Sequence, residues 1–123
     1  MEEKKMKSHW MTHKGKKVFY ANYSHMSPEE LKVEVASVEP VLCLMPKNSV
    51  LSLADVRDTY GTTDAMNTLK GITAKTKLHV HKRAVVGVTG VQKILLKALN
   101  QFSGQETVAF DSVEKALDWL VED

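Results

Sequence analysis

The sequence predicts an α/β protein built on a mainly parallel sheet, and three observations predict it. The first is the stretch Lys82 to Gly104. In it the apolar, β-branched run Ala84-Val85-Val86-Gly87-Val88 is broken by Thr89-Gly90 and followed by Val91, Ile94, Leu95, Ala98, Leu99 and Phe102 at helical spacing. A strand that feeds its chain straight into a helix is half of a βαβ unit. The second is Ser27-Pro28-Glu29-Glu30, a helix start with serine at the cap, proline at the first helical position and acids in the first turn. The third is the order of segments, β-β-α-β-α-β-α-β-α. Strands joined by single helices run parallel, through right-handed crossovers.

Taken in order, residues 1–7 (MEEKKMK) read as a solvated, disordered tail, and 8–123 as one domain. His9 to His13 is a weak first strand, Lys14-Gly15 turns the chain, and Lys17 to Tyr23 (KVFYANY) is a stronger second strand, antiparallel to the first. A helix over about 28–44 carries the stripe Leu31, Val35, Val38 and Leu42. Pro40 is expected to kink or end it, which leaves Val41 to Met45 irregular. Ser49 to Val56 is the third strand, and Arg57 to Gly61 a polar loop. Thr62 or Thr63 caps a helix over 62–76 that buries Met66, Leu69 and Ile72, and Gly71 weakens it by about 1 kcal/mol relative to alanine. Lys75 to Arg83 reads as a basic, solvated connector into the fourth strand. The next helix, 90–103, ends at Ser103-Gly104. Thr107 to Phe110 is the last strand. Asp111 is the expected cap of a final helix over 112–121, with Glu114 at the capping-box position and Val113, Ala116, Leu117 and Leu120 facing inward.

Composition narrows the function. Of 123 residues, 43% are apolar and 26% charged, and the formal net charge of +2 is too small for the basic stripe of a nucleic-acid binder. A single cysteine, Cys43, excludes an internal disulfide. Its neighbours Leu42 and Leu44 suggest a buried, inert thiol. No apolar run approaches the roughly 20 residues that span a bilayer, and MEEKKMK is not followed by a signal-peptide core, so the expected location is the cytoplasm.

Ligands of open α/β sheets bind beyond the carboxyl ends of the strands. Three loops are expected there: Ser24 to Ser27, Asp55 to Thr63 (DVRDTYGTT) and Thr89-Gly90, each preceding a helix N-terminus that favours an anion. The candidate ligand-binding residues are Asp55, Arg57, Tyr60, Thr89, Gly90 and Gln92. Ser27, Thr63 and Thr89 equally suit plain helix caps. Gly87-Val88-Thr89-Gly90 lacks the lysine of a phosphate-binding loop and the third glycine of a dinucleotide fingerprint. His9 with His13, and His79 with His81, would share faces of extended segments, but no cysteine or carboxylate stands at ligand spacing, so no metal and no cofactor is expected. Val41, Leu42, Leu44 and Met45 form either a buried helix end or an apolar flap over a ligand or a membrane surface. An enzyme would need a nucleophile with its base. Asp55 and Asp58 straddle a turn with no histidine paired to them, and Asn22-Tyr23-Ser24 stands where a phosphorylated receiver domain holds its metal-binding acids.

With Asp55-Val56-Arg57, Gly87 to Lys93 (GVTGVQK) and Phe110-Asp111 followed by Leu117-Asp118-Trp119-Leu120 in view, the chain resembles the SpoIIAA-like family of STAS-type domains over about Tyr20 to Val121. The resemblance implies a β/α superhelix with a four- or five-stranded mixed sheet, and a non-enzymatic regulatory or binding module that takes a protein partner or a small anionic ligand at the sheet's C-terminal edge. In the family's phosphoswitched members a serine in an aspartate-serine-serine-glycine motif starts the helix after the third strand. Here Thr62-Thr63-Asp64 stands there, which makes Thr62 or Thr63 the nearest stand-in. The fold also resembles CRAL-TRIO lipid-binding domains, which implies the alternative of a carrier for an apolar or amphipathic ligand, or a peripheral membrane binder. A homodimer is compatible with either.

Overall fold

The computed structural model describes residues 6–59, 62–88, 93, 97, 100 and 107–122. Five strands form one sheet in the order β1-β2-β3-β4-β5: β1 (His9–His13), β2 (Lys16–Asn22), β3 (Val50–Asp55), β4 (Val80–Val86) and β5 (Thr107–Phe110). β1 pairs antiparallel with β2 across the Lys14-Gly15 turn, and the remaining pairs are parallel. Three helices are described in full: α1 (Pro28–Cys43), α2 (Thr63–Thr76) and α3 (Val113–Leu120). The expected helix over 90–103 lies outside the described residues except for Lys93, Lys97 and Asn100, which are helical.

The strand period of two sorts each strand between two cores. Phe19 and Ala21 of β2, Tyr23 just beyond it and Val85 of β4 meet Leu31, Val35, Val38 and Leu42 of α1 and Ala65 and Ile72 of α2. On the opposite face Val18, Leu53, Ala84 and Val86 meet Ala116, Leu117 and Leu120 of α3. A parallel sheet covered on both faces accounts for the unbroken apolar run Ala84-Val85-Val86.

Several local expectations are corrected. α1 does not end or break at Pro40. It continues to Cys43, where burial of Val38 and Leu42 against the sheet holds its last turn and the Leu44 N–H closes on the Pro40 carbonyl at 3.2 Å. Cys43 is exposed, because successive helical residues point about 100° apart and Leu42 takes the inward direction. Leu44 is 85% exposed for the same reason, so the apolar segment Val41 to Met45 is divided between core and solvent. Ser112, not Asp111, caps α3: its hydroxyl accepts from the Lys115 N–H at 3.2 Å, while Asp111 pairs with the Lys115 ammonium. The basic connector is the largest correction. α2 runs to Thr76 and β4 begins at Val80, so Lys82 and Arg83 are strand residues on opposite faces, and Arg83 is buried.

At the other end of the chain, Lys7 and Ser8 are tied to α1 rather than free. The buried Glu34 carboxylate accepts from the Ser8 N–H at 2.8 Å, the Ser8 hydroxyl at 2.7 Å and the Lys7 N–H at 3.2 Å.

Candidate functional site

The C-terminal edge of the sheet forms where expected. Asn22 of β2, Asp55 of β3 and Val86 of β4 lie in register, and the chain continues across them through Tyr23 N–H to Asp55 O and Val56 N–H to Val86 O, both 2.9 Å. Of the six candidate ligand residues, Asp55 and Arg57 are described. Tyr60, Thr89, Gly90 and Gln92 lie outside the described residues.

Asp55 and Arg57 are occupied with each other. The Asp55 side chain is fully buried and accepts from Arg57 Nε at 3.0 and 3.2 Å, from Arg57 Nη2 at 2.7 Å, from the Arg57 backbone N–H at 3.1 Å and from the Tyr20 hydroxyl at 2.6 Å. Burial alone would raise the Asp55 carboxyl, but the hydrogen bonds from Arg57 and Tyr20 outweigh it and hold it below its ordinary range. The same contacts raise the Arg57 guanidinium, through the Asp55 hydrogen bond first and its charge second. Tyr20 is raised by burial and by the adjacent carboxylate. Tyr20 is the partner that sequence reasoning missed: it lies 35 residues from Asp55, and only the pairing of Tyr20 with Leu53 brings the two strands into reach.

The loops of this edge are stitched to one another. His25 N–H donates to Arg57 O at 2.9 Å, His25 Nδ1 lies 3.3 Å from Asp58, and the Thr59 hydroxyl donates to the Tyr23 carbonyl. Thr62 caps α2 by accepting from the Ala65 N–H at 3.1 Å, and Ser27 and Glu30 complete a reciprocal capping box on α1. The helix N-terminal groups proposed for an anion are thus partly satisfied from within.

A mostly apolar open space lies instead on the α1/α2 face of the sheet. A cavity of about 90 Å³ runs beneath α2, bounded by Val56, Thr59 and Val88 at the C-terminal edge and by Met66, Leu69 and Ile72 above. Its lining is mostly apolar, with Tyr23, Ser52, Thr59, Thr73, Arg83 and Thr107 as the polar residues. Arg83 is 7% exposed. Its Nη2 donates to the Thr76 hydroxyl at 3.0 Å, which in turn donates to the Ile72 carbonyl at 2.7 Å, and its Nε–H is buried with no acceptor among the described residues. Burial lowers the guanidinium to about 10, so it stays protonated at neutral pH. Burial also pushes the Tyr23 phenol well above its ordinary value. Sequence reasoning placed Arg83 in the solvated connector. No period in the sequence marks it: the ladder steps from Val80 to Lys82 opposite Val50 and Leu51, and this irregularity at His81 puts Val80 and Arg83, three residues apart, both inside.

A solved structure bears directly on this architecture. An uncharacterised protein of the DUF3478 family from Shewanella loihica PV-4, described as having a SpoIIAA-like fold, matches with a TM-score of 0.72 over 92% of this chain and 91% of that one, at 17% sequence identity. The fold is SpoIIAA-like. No family model matches the sequence, and no curated protein matches it. No metal cluster of three or more His, Cys, Asp or Glu forms among the described residues, where His79 Nδ1 instead contacts Met45 O at 2.7 Å and His13 pairs with Asp118 at 2.8 Å. No described helix is long and apolar enough to cross a membrane.

Proposed function

We propose that the protein is a non-enzymatic binding module of STAS type that holds a small, largely apolar ligand in the cavity beneath α2. The observation that carries this reading is the cavity itself: protein interiors are close-packed, and a space of about 90 Å³ under one helix is well above the size of a packing defect. The edge residues favour the same choice. Asp55, on which an enzymatic reading relied, has its oxygens engaged by Tyr20 and Arg57, and Arg57 is already neutralised. Titration with n-butanol, followed by methyl NMR, is the test. Saturable shifts confined to Val56, Val85, Val88, Leu69 and Ile72 are expected, and Ala54→Leu, which fills the cavity, should abolish them. Shifts that are absent, or that Ala54→Leu leaves unchanged, would reject the reading.

A second reading, docking on an anionic membrane surface, is favoured by one feature. Leu44 and Leu78 are 85% and 67% exposed on adjoining turns, joined where Asn48 N–H donates to Leu78 O at 2.8 Å and His79 meets Met45 O. Lys47 and Lys77 lie on the same two turns, and Lys75, in the last turn of α2, pairs with Glu39 at 3.5 Å. Leucines ringed by lysines suit an interface with acidic lipid. Co-sedimentation with phosphatidylserine vesicles is expected, and Leu44→Ser with Leu78→Ser should remove it. Equal recovery with phosphatidylcholine vesicles, or binding unaffected by the double substitution, would sink the idea.

A further inference from the structure

Arg83 is a buried cation with no counter-ion among the described residues. Among the described residues no carboxylate pairs with it, and its only polar contact is the Thr76 hydroxyl. That hydroxyl stands in the last turn of α2, where the negative end of the helix dipole offsets part of the charge. The offset is small beside the cost of burying an unpaired charge, which proteins ordinarily avoid by pairing it. Arg83 lines the cavity, and its Nε–H is buried beside it with no acceptor among the described residues; Tyr23, held in its protonated form, lines the same space. An arginine fork is shaped for a carboxylate or a phosphate. Here one positive charge faces an apolar lining, so a singly charged group is neutralised, whereas a dianion would leave one charge buried. The volume sets the size: a space of roughly 150 Å³ takes benzene, so about 90 Å³ takes a shorter body of a few carbons.

We propose that Arg83 receives the carboxylate of a short-chain aliphatic monocarboxylic acid whose alkyl part fills the apolar remainder of the cavity beneath α2. The site deepens the ligand-binding reading above and rests on it. Arg83 supplies the discrimination between acid and neutral analogue, and the apolar lining supplies the bulk of the contact.

The probes are sodium butyrate, butyramide, n-butanol and inorganic phosphate, each titrated into the full chain and followed by methyl NMR and thermal shift. Butyrate is expected to bind about tenfold or more tightly than butyramide, the scale of one charge-assisted pair over a neutral one. Phosphate should bind more weakly than butyrate. Arg83→Met should bring butyrate and butyramide level while leaving the unliganded protein as stable as the parent or more so, because it replaces an unpaired charge with an apolar chain of similar length. If Arg83→Met does not fold, the acid-to-amide ratio of the parent protein and of Arg83→Lys decides the matter. Butyrate no tighter than butyramide in the parent, tighter binding of phosphate, or a preference that survives Arg83→Met would overturn the proposal. Binding of n-butanol with butyrate and butyramide equal would leave the cavity reading standing and remove only the role of Arg83. No binding by any of the organic probes would remove both.

Discussion

Gly87→Ala should destabilise the protein by about 3 kcal/mol or more, with a fall in melting temperature on the order of 10 °C. Gly87 follows β4 with φ +98°, a conformation that costs an L side chain energy wherever it occurs. The second cost is steric. A Cβ there would stand 2.6 Å from the Arg57 Cγ, 2.6 Å from its backbone nitrogen and 2.7 Å from its Cα. Two of those atoms are backbone, so the loop after β3 must move rather than a flexible tip, and Asp55 would lose part of its pairing with Arg57. Gly71→Ala is the internal control. Gly71 lies inside α2, a Cβ meets nothing within 4 Å, and the substitution should stabilise by up to about 1 kcal/mol. Urea denaturation of the two variants against the parent measures both. A Gly87→Ala protein within experimental scatter of the parent would show that β3 and β4 do not exit as closely as described.

Asp55→Ala is expected to cost about 2 kcal/mol at neutral pH. Removing one member of a fully buried pair costs about 3–5 kcal/mol, but Arg57 is half-exposed and regains water, so the lower figure applies. The Tyr20 hydroxyl loses its acceptor as well. A spectrophotometric titration should then show the Tyr20 phenol moving down towards its ordinary value of 10.0, because the hydrogen bond to Asp55 and its charge have gone while burial remains. The pH dependence has a definite sign. The folded Asp55 carboxyl lies below its ordinary value of 3.8, so its stabilising contribution is complete above that value and is lost as pH falls through the lower folded value. The stability gap between parent and Asp55→Asn should therefore be widest near neutrality and close in acid. A gap that stays constant down to full acid unfolding would show that the carboxylate charge plays no part.

Much of the architecture was legible because it depends on local chemistry. Ser27 and Glu30 form the capping box that their spacing implies, Leu31, Val35, Val38 and Leu42 bury the stripe that their period implies, and the run Ala84-Val85-Val86 forms a strand covered on both faces. The errors fall where two local signals compete. Asp111 and Ser112 are both good caps one residue apart, and the helix took the serine. Pro40 opposes continuation of α1, yet burial of Leu42 carries the helix one more turn. The charge-rich Lys75 to Arg83 stretch reads as solvated by composition, although its last four residues form the start of β4, where a register irregularity at His81 turns Arg83 inward.

Sequence alone therefore determined the segment types and their order, since caps, turns and hydrophobic periods act over a few residues and need no distant partner. From that order follows a mainly parallel sheet whose β3 and β4 end side by side, as Asp55 opposite Val86 records. Tertiary structure alone decided which charges were buried and with whom. Asp55 found Tyr20 across a strand pairing, and Arg83 was turned inward beneath α2 against the Thr76 hydroxyl. The physical reason is that burial is a property of a face, and which face a side chain takes depends on where its strand begins and what packs above it.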